Sequence, residues 1–206
     1  MKCRSRKIQC PDHRSAAGFK LLELLLVVAI LAVVFIMYMS WAGKGGRTSE
    51  RKACAKNLQR THIAMDTYAA EHAGKYPDVT GALTSAEALD ALLPKYTVDA
   101  SGFICPASKD SAPPSGASIA KHKISYSYYM GRRKTESAEA LLTDRQVNTL
   151  SKNPGQFLFS TNSKAPGNNH GQAGGNILFI DGRVEWSGPA ASFPLVLTPG
   201  VVLLNP

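Results

Sequence analysis

The amino-acid sequence predicts an α+β protein in which a long N-terminal helix, half of it transmembrane, packs on a small antiparallel-sheet domain. Three observations predict this class. An uncharged apolar run covers residues 24–43, apolar residues at helical spacing follow it, and short strand-like segments separated by Gly, Pro, Asn and Asp fill the rest. A long helix followed by several short strands is the order of elements that α+β proteins show.

The chain begins with a basic leader before the apolar run. Residues 1–18 carry Lys2, Arg4, Arg6, Lys7 and Arg14 against Asp12, in a 206-residue chain of net charge +9. At about 1.5 Å per residue, a helix over residues 24–43 spans roughly 30 Å, the thickness of the hydrocarbon core of a bilayer. Basic residues before such a helix predict a cytoplasmic N-terminus, with the bulk of the chain outside.

An ordinary cleaved signal peptide is the alternative for this N-terminal region, and it fits less well. The apolar run is longer than a usual signal-peptide core, and Ser40-Trp41-Ala42 lacks the small-x-small cleavage pattern. The run is therefore interpreted as a membrane-spanning helix.

Glu23 is an acidic residue at the start of the apolar segment, next to Leu24. A carboxylate in the hydrocarbon costs about 2.5–3.5 kcal/mol and usually marks a functional group that has a partner. Lys20 is one candidate partner. If the chain is cut after Gly18, the new amino group of Phe19 in one subunit is another, because it lies at the depth of Glu23 in a neighbouring subunit.

These residues carry a family resemblance. Gly18-Phe19-x-Leu21-Leu22-Glu23, with a basic leader before it and an apolar helix after it, resembles the class III signal of type IV pilins and type II secretion pseudopilins. The resemblance implies that a prepilin peptidase cleaves between Gly18 and Phe19 and methylates the Phe19 amine. It also implies that Glu23 governs subunit docking and that the protein lies in the inner membrane with a periplasmic or extracellular head domain. Lys20 departs from the family, which usually has an uncharged residue there.

The cysteines divide between the leader and the predicted exported part. Cys3 and Cys10 precede the cleavage site, whereas Cys54 and Cys105 follow the apolar run. An exported domain lies in a compartment that permits disulfides, so the sequence predicts a Cys54–Cys105 bridge. Two buried free thiols are the alternative.

The helical part of the chain is predicted in two segments. Glycines within residues 43–46 predict a softening or a break of the helix, after which Thr48 or Ser49 caps a new helix. That helix carries an apolar stripe, which consists of Cys54, Leu58, Met65, Tyr68 and His72. A short helix is expected over Ser85–Leu93. The predicted organisation is a leader (1–18), a transmembrane and filament-core helix (19–43), an amphipathic helix (44–74) and an exported α+β head domain (75–206).

The strands are predicted from alternation and turn signals. Ile124, Tyr126 and Tyr128 alternate with serines, which predicts a half-buried strand, and residues 156–160 form another apolar segment. Residues 136–142 are interpreted as a helical turn. Asp181-Gly182 between residues 176–180 and 183–186 predicts a hairpin with a type I′ turn, and residues 193–197 and 201–204 are candidates for a last strand.

A second resemblance covers the C-terminal region. His170, the glycine-rich stretch after it and Asp181-Gly182 are similar to the His-x9-Asp-Gly region of many pseudopilin-like proteins. Ten residues separate His170 from Asp181 here, and Arg183 stands where the family usually has His. Tyr76-Pro77 and Phe103-x-Cys105-Pro106 belong to the same resemblance.

The head domain offers one candidate group of chemically active residues. His170, Asp181 and Asp144 are candidate metal or catalytic residues, although Asp181 also suits a turn and His170 a hydrogen bond to the loop backbone. Because some major pseudopilins hold calcium in a C-terminal loop, Asn168, Asn169, Asp181 and carbonyls around Gly174 are the candidate calcium ligands. No other cofactor is expected.

The function predicted from these features is structural. The sequence has no phosphate-binding loop, no Gly-x-Ser-x-Gly elbow, no Cys-x-x-Cys pair and no long basic stripe for nucleic acid. A pseudopilin or pilin subunit is therefore expected, not an enzyme, and its expected partners are the prepilin peptidase, copies of itself, other pseudopilins and an assembly platform in the inner membrane.

The sequence is also compatible with two other functions. The first is a membrane-tethered binding or adhesin module, for which the seven tyrosines and the Ser/Pro/Gly-rich loop at 108–118 offer a surface. The second is an exported enzyme that keeps its signal as an anchor.

Overall fold

The computed structural model of the chain describes residues 21–206, and within them the side chains of all residues except 40–45. The leader with Cys3 and Cys10, the predicted cleavage site between Gly18 and Phe19, and Lys20 lie outside the described residues. Contacts divide the chain into two compact units, with the boundary between Gly43 and Lys44. The mixture of a long helix and an antiparallel sheet confirms the α+β class.

The first element is a single helix, α1, which spans Leu21–Glu71 and contains 51 residues. The break predicted at residues 43–46 is therefore wrong, as is the new helix start at Thr48 or Ser49. Each glycine costs about 1 kcal/mol in a helix interior, but continuing a helix avoids the unfavourable nucleation that a new helix requires. The long helical segments on both sides favour continuation through the glycines.

The first part of α1 is apolar on all sides. Among the described residues, Leu21–Met39 is the segment long and apolar enough to cross a membrane, and Glu23 is its only charged residue. The side chains of this segment are exposed, as the values of 83% for Leu21, 60% for Phe35 and 68% for Met37 illustrate. An apolar surface of this extent requires a covering of lipid or of other apolar helices.

The second part of α1 buries one face within its own unit. Cys54, Leu58 and Met65 are fully buried, Tyr68 is half-buried and His72 is exposed. The imidazole of His72 stacks on the ring of Tyr68, with ring centroids 3.8 Å apart. The predicted apolar stripe is therefore confirmed except at its last position.

The short helix α2 spans Ser85–Leu89, and a 3-10 turn at Asp90–Leu92 follows it. A capping box begins α2, in which Thr84 accepts a hydrogen bond from the backbone of Glu87 and the Glu87 carboxylate accepts one from the backbone of Thr84. This confirms the helix predicted over Ser85–Leu93, although the last turn is tighter than an α-helix.

Five strands form one antiparallel sheet in the order β4-β3-β2-β1-β5. The strands are β1 (Tyr126–Met130), β2 (Ala140–Asp144), β3 (Gly175–Phe179), β4 (Val184–Ser187) and β5 (Val202–Leu204). Residues 136–142 were predicted as a helical turn, which is wrong because they lead into β2. Residues 156–160 are not a strand either, since Phe157 makes only an isolated bridge to Ala190. The last strand predicted within 201–204 is confirmed as β5.

Both faces of the sheet are buried. Tyr126 and Tyr128 belong to the larger core, which also contains the buried face of α1 and of α2, whereas Tyr129 belongs to a second core on the opposite face. The prediction that β1 is half-buried is therefore wrong. The second core is built by β3 and by loop residues such as Phe159 and Leu195, which cover the face that a simple alternation rule leaves to solvent.

The predicted C-terminal hairpin is confirmed as β3 and β4, which pair from Gly175 with Ser187 to Leu178 with Val184. The type I′ turn is wrong. Phe179 donates its N–H to the carbonyl of Arg183, so the loop between these two residues is 180–182. Gly182 donates its N–H to the carbonyl of Phe179 and has a φ of 84°. Among the loop residues only this glycine has a positive φ, which fits a turn followed by a glycine bulge and not a type I′ turn.

Candidate functional site

Four side chains with metal-binding or nucleophilic chemistry gather inside the second unit: Cys54, Cys105, Asp144 and His170. Cys54 comes from α1, Cys105 from the segment after the 3-10 turn Ala100–Phe103, Asp144 from the end of β2, and His170 from the loop before β3. One donor atom from each residue lies within 4.8 Å of the donor atoms of the other three. We call these residues the Cys2AspHis cluster.

The closest contacts in the cluster connect all four side chains. His170 Nε2 lies 3.4 Å from Cys105 Sγ and 3.3 Å from Asp144 Oδ2. The thiol of Cys54 donates to Asp144 Oδ1 at 3.2 Å. The two cysteines are fully buried, and the side chains of His170 and Asp144 are 5% and 1% exposed. The contacts therefore lie in a place that excludes bulk water.

Two asparagines hold the carboxylate of Asp144 in place. The backbone N–H and the side-chain amide of Asn176 donate to Oδ2 at 2.7 and 3.1 Å, and the amide of Asn169 donates to Oδ1 at 2.8 Å. Asn176 is the second residue of β3, so the pairing of β2 with β3 places this donor. Asn176 is not among the site residues predicted from the sequence.

Aromatic residues enclose the cluster. The hydroxyl of Tyr126 lies 3.2 Å from Cys54 Sγ. The ring of Trp186 packs edge-on against His170, with centroids 5.3 Å apart, and the guanidinium of Arg51 lies over the Trp186 ring, 4.0 Å from its centre. Trp186 of β4 thus contacts both His170 of the cluster and Arg51 of α1.

Burial and hydrogen bonds shift the ionisation of these four groups in different directions. Burial, followed by the hydrogen bond to Cys105, raises the pKa of Cys54, whereas the hydrogen bond with Cys54 lowers the pKa of Cys105. Burial opposes charge on His170, but the interactions with Asp144 and Cys105 outweigh it and raise the pKa of His170 to about 10. Burial also opposes charge on Asp144, yet hydrogen bonds from His170 and the asparagines lower its pKa. The cluster thus favours an ionised Asp144 beside a positively charged imidazole.

The geometry differs from that of a catalytic triad. In a triad, the nucleophile and the carboxylate contact different ring nitrogens of the histidine. Here Cys105 and Asp144 both face Nε2 of His170. The cluster instead brings two sulfurs, one nitrogen and a carboxylate oxygen within 4.8 Å of one another, and these are donor types that bind transition metals in proteins.

The two cysteines that sequence analysis paired are neighbours in this cluster, and both are free and buried in the structure. The predicted Cys54–Cys105 disulfide stays a prediction, since the sulfurs lie within 4.8 Å of each other. Either two free thiols or a disulfide bond would involve these same two cysteines.

The candidate residues of the C-terminal motif have different roles in the structure. Asp181 lies at the hairpin tip, where it is exposed and its carboxylate accepts a hydrogen bond from the backbone of Arg183 at 2.9 Å. Gly182 provides the left-handed conformation of the turn. His170 pairs with Asp144, not with Asp181. The amide nitrogen of Asn168 donates to the carbonyl of Ser163, and the calcium site predicted from Asn168, Asn169 and Asp181 stays a prediction.

The structure supports only part of the binding surface that the sequence predicts for an adhesin. Four of the tyrosines, Tyr76, Tyr126, Tyr128 and Tyr129, are buried and therefore not part of a surface. An open pocket of about 730 Å³ lies instead between residues 147 and 166, and its lining includes Lys152, Lys164 and Phe157.

An N-terminal apolar helix followed by a small antiparallel sheet is the order of elements expected from the resemblance to pilins. Glu23 lies in the first turn of α1 and is exposed. Comparisons with protein-family models, with curated proteins and with solved structures found no match for this chain.

Proposed function

We propose that this chain is a structural subunit, a pilin or pseudopilin, of a filament of the type IV pilus or type II secretion kind. The observation that carries the proposal is the construction of α1. Its first part, Leu21–Met39, exposes apolar side chains all round, while the same helix continues to Glu71 and packs its later part into a folded α+β domain.

The apolar surface of this helix can be covered in two environments. In the inner membrane the segment Leu21–Met39 faces lipid, and in a filament it faces the equivalent segments of other subunits. Its length, about 28 Å at ~1.5 Å per residue, suits the membrane. Head-to-tail contacts between copies of this chain would then produce an open filament.

In this proposal Glu23 sets the alignment of neighbouring subunits along the filament. The prepilin peptidase cleaves between Gly18 and Phe19 and methylates Phe19, which leaves an ammonium group near the start of α1. A neighbouring subunit presents its Glu23 carboxylate to this group, and the pair offsets the cost of a charge in apolar surroundings only in the correct alignment.

The test compares Glu23→Ala with Glu50→Ala, since Glu50 is an exposed acidic residue on the same helix. We expect Glu23→Ala to be cleaved normally but to reduce filament assembly strongly, and Glu50→Ala to assemble normally. The measurements are the intact mass of the membrane-extracted protein and the fraction of subunit that pellets as sheared filaments.

Intact mass also tests the processing step by itself. A chain that starts at Phe19 with one added methyl group supports the proposal. A chain that keeps its leader, or filaments of Glu23→Ala in normal amount, would contradict it.

A membrane-tethered binding module is the second candidate, and the pocket at residues 147–166 is the observation that favours it. The exposed Lys164 in its lining suits an anionic ligand, whereas Lys152 is buried and donates to Asn148 and to the carbonyl of Leu150. A processed chain that never pellets as filaments but retains such a ligand would favour this function over the filament.

A further inference from the structure

We infer that the Cys2AspHis cluster is a binding site for a thiophilic divalent cation, and that zinc is the metal its donors suit best. The inference concerns the head domain alone and does not depend on filament assembly. Its basis is the convergence of four donor side chains from four separate segments of the chain.

The types of donor select the metal. Zinc is bound in proteins by cysteine sulfur, histidine nitrogen and carboxylate oxygen, usually by four ligands in a tetrahedron. Calcium takes oxygen ligands only, and magnesium prefers oxygen and water, so two sulfurs argue against both. A cluster of two cysteines, one histidine and one aspartate therefore points to zinc.

The shortest distances in the cluster are close to those expected around one tetrahedral ion. Bond lengths of about 2.3 Å to sulfur and about 2.0–2.1 Å to nitrogen or oxygen place neighbouring donors roughly 3.3–3.8 Å apart. Cys105 Sγ lies 3.4 Å from His170 Nε2, and His170 Nε2 lies 3.3 Å from Asp144 Oδ2. Cys54 Sγ lies 3.2 Å from the other carboxylate oxygen, Asp144 Oδ1. No donor pair exceeds 4.8 Å, so small side-chain shifts are sufficient to complete the site.

The groups around the cluster match the supporting partners of a metal site. Metal-binding carboxylates are themselves hydrogen-bonded, which fixes their orientation. Asn176 and Asn169 do this for Asp144 through three N–H donors. The Tyr126 hydroxyl lies 3.2 Å from Cys54 Sγ, where it can donate to a thiolate.

The site is also enclosed. Cys54, Cys105 and Asp144 are buried, and the side chain of His170 is only 5% exposed. A cation therefore reaches the sulfurs only after the surrounding side chains move locally. Exclusion of water then strengthens the bonds of the metal to its charged ligands.

Metal binding would have a structural consequence, because Cys54 is the one ligand that α1 contributes. The other three ligands come from the loops and the strand β2. A bound ion would therefore fasten α1 to the sheet within the second unit. A disulfide between Cys54 and Cys105 excludes this site, since sulfurs joined to each other do not supply two thiolates.

The experiment uses the full-length chain, purified in detergent with a reductant that does not bind metal, and dialysed first against chelator and then against zinc. We expect one zinc ion per chain by native mass spectrometry and elemental analysis. In parallel, cobalt(II) is added to the metal-free chain. We expect the visible absorption of tetrahedral cobalt and a thiolate-to-cobalt charge-transfer band, both of which zinc then abolishes.

Variants with matched controls locate the ion. Cys105→Ser and Asp144→Asn should abolish the cobalt spectrum, whereas the doubly substituted Cys3→Ser/Cys10→Ser chain and Asp181→Asn should retain it. Asn176→Ala should retain the spectrum but weaken zinc affinity by about 10–100-fold, as the loss of a supporting partner does at other metal sites.

The cobalt spectrum of the wild-type chain tests the inference even if a variant fails to fold. A reduced and folded wild-type chain that binds no zinc and gives no thiolate band with cobalt would overturn the inference. An unchanged spectrum in both Cys105→Ser and Asp144→Asn would overturn it as well, because the metal would then be held elsewhere.

Discussion

Asp144 illustrates how one residue connects several segments of the head domain. Its carboxylate accepts hydrogen bonds from Cys54 on α1, from Asn169 in the loop and from Asn176 on β3, and it pairs with His170. A buried charge that loses its partners costs several kcal/mol. The helix, the loop and the sheet therefore depend on each other at this position, whether or not a metal is bound.

Two consecutive glycines allow the loop that carries His170 to approach Asp144. Gly174 has a φ of 117°, and a Cβ there would lie 2.0 Å from the carbonyl oxygen of Ser187. A Cβ on Gly175 would lie 2.6 Å from the ring of Phe159 and 2.9 Å from the Cβ of Asp144. The glycine pair is therefore required by close packing of β3 and not only by loop flexibility.

This packing predicts the effect of Gly175→Ala. The added methyl group overlaps the Phe159 ring and the Asp144 side chain, so we expect the free energy of unfolding to fall by about 1–3 kcal/mol. Urea unfolding of the detergent-solubilised chain, followed by Trp186 fluorescence in a Trp41→Phe background, measures it.

Gly188→Ala is the matched control for this prediction, because a Cβ at Gly188 would meet nothing within 4 Å. Its free energy of unfolding should stay within about 0.5 kcal/mol of the parent chain. Equal effects of the two substitutions would show that the overlap at Gly175 is relieved at no cost.

Among the elements, those with local signals were predictable and those defined by tertiary burial were not. The hairpin of β3 and β4 was predicted because Asp181-Gly182 is a local turn signal, and the stripe of α1 because one face is polar. β2 was missed because all five of its residues are buried, which removes the alternation that marks a half-exposed strand. The continuous helix through Gly43 was missed because propensity alone ignores the flanking turns.

The site was only partly predictable for a related reason. Cys54, Cys105, Asp144 and His170 were each considered from the sequence, but as a cysteine pair and as a group around Asp181. The four residues come from four segments spread over residues 54–170. Only the order of strands and the packing of α1 on the sheet bring them together, and no local pattern encodes that.

Strand β1 concentrates buried tyrosines on both faces of the sheet. Burial raises the pKa of Tyr126 and Tyr128 well above the ordinary tyrosine value. Burial also raises the pKa of Tyr129 to about 12, against a smaller opposing effect of the hydrogen bond from Gln146. In the unfolded chain these tyrosines ionise near pH 10.

The shift predicts how stability depends on alkaline pH. A tyrosine with a raised pKa contributes stability that is complete below about pH 10 and is lost as pH rises towards the folded value, because the unfolded chain releases its proton first. For Tyr129 the loss should occur between about pH 10 and 12, with a slope of about 1.4 kcal/mol per pH unit.

The comparison of wild type with Tyr129→Phe isolates this contribution. The variant lacks the titrating group, so its free energy of unfolding should fall less steeply above about pH 10. Urea unfolding at a series of pH values measures both slopes, and tyrosinate absorbance reports ionisation. Identical slopes would mean that Tyr129 ionises at its ordinary pKa in the folded chain.

At the scale of the whole molecule, the folded interior lies in the second unit. Both hydrophobic cores, all five strands and the Cys2AspHis cluster are formed by residues after Lys44. The first unit contributes the apolar segment Leu21–Met39, whose side chains are exposed in the isolated chain. The buried cores and the apolar segment long enough to cross a membrane thus occupy different parts of the sequence.

This division predicts that a fragment of residues 44–206 folds without the apolar segment. We expect it to be monomeric in sedimentation velocity without detergent and to unfold cooperatively in urea, whereas the full-length chain should require detergent because Leu21–Met39 exposes apolar surface. A shorter fragment that begins at Arg60 is the control, since it lacks Cys54 and Leu58, both fully buried in the larger core, and should therefore fail to fold. If the fragment of residues 44–206 aggregated or lacked a cooperative transition, the apolar segment would be needed for folding as well as for attachment, and the division of roles along α1 would be wrong.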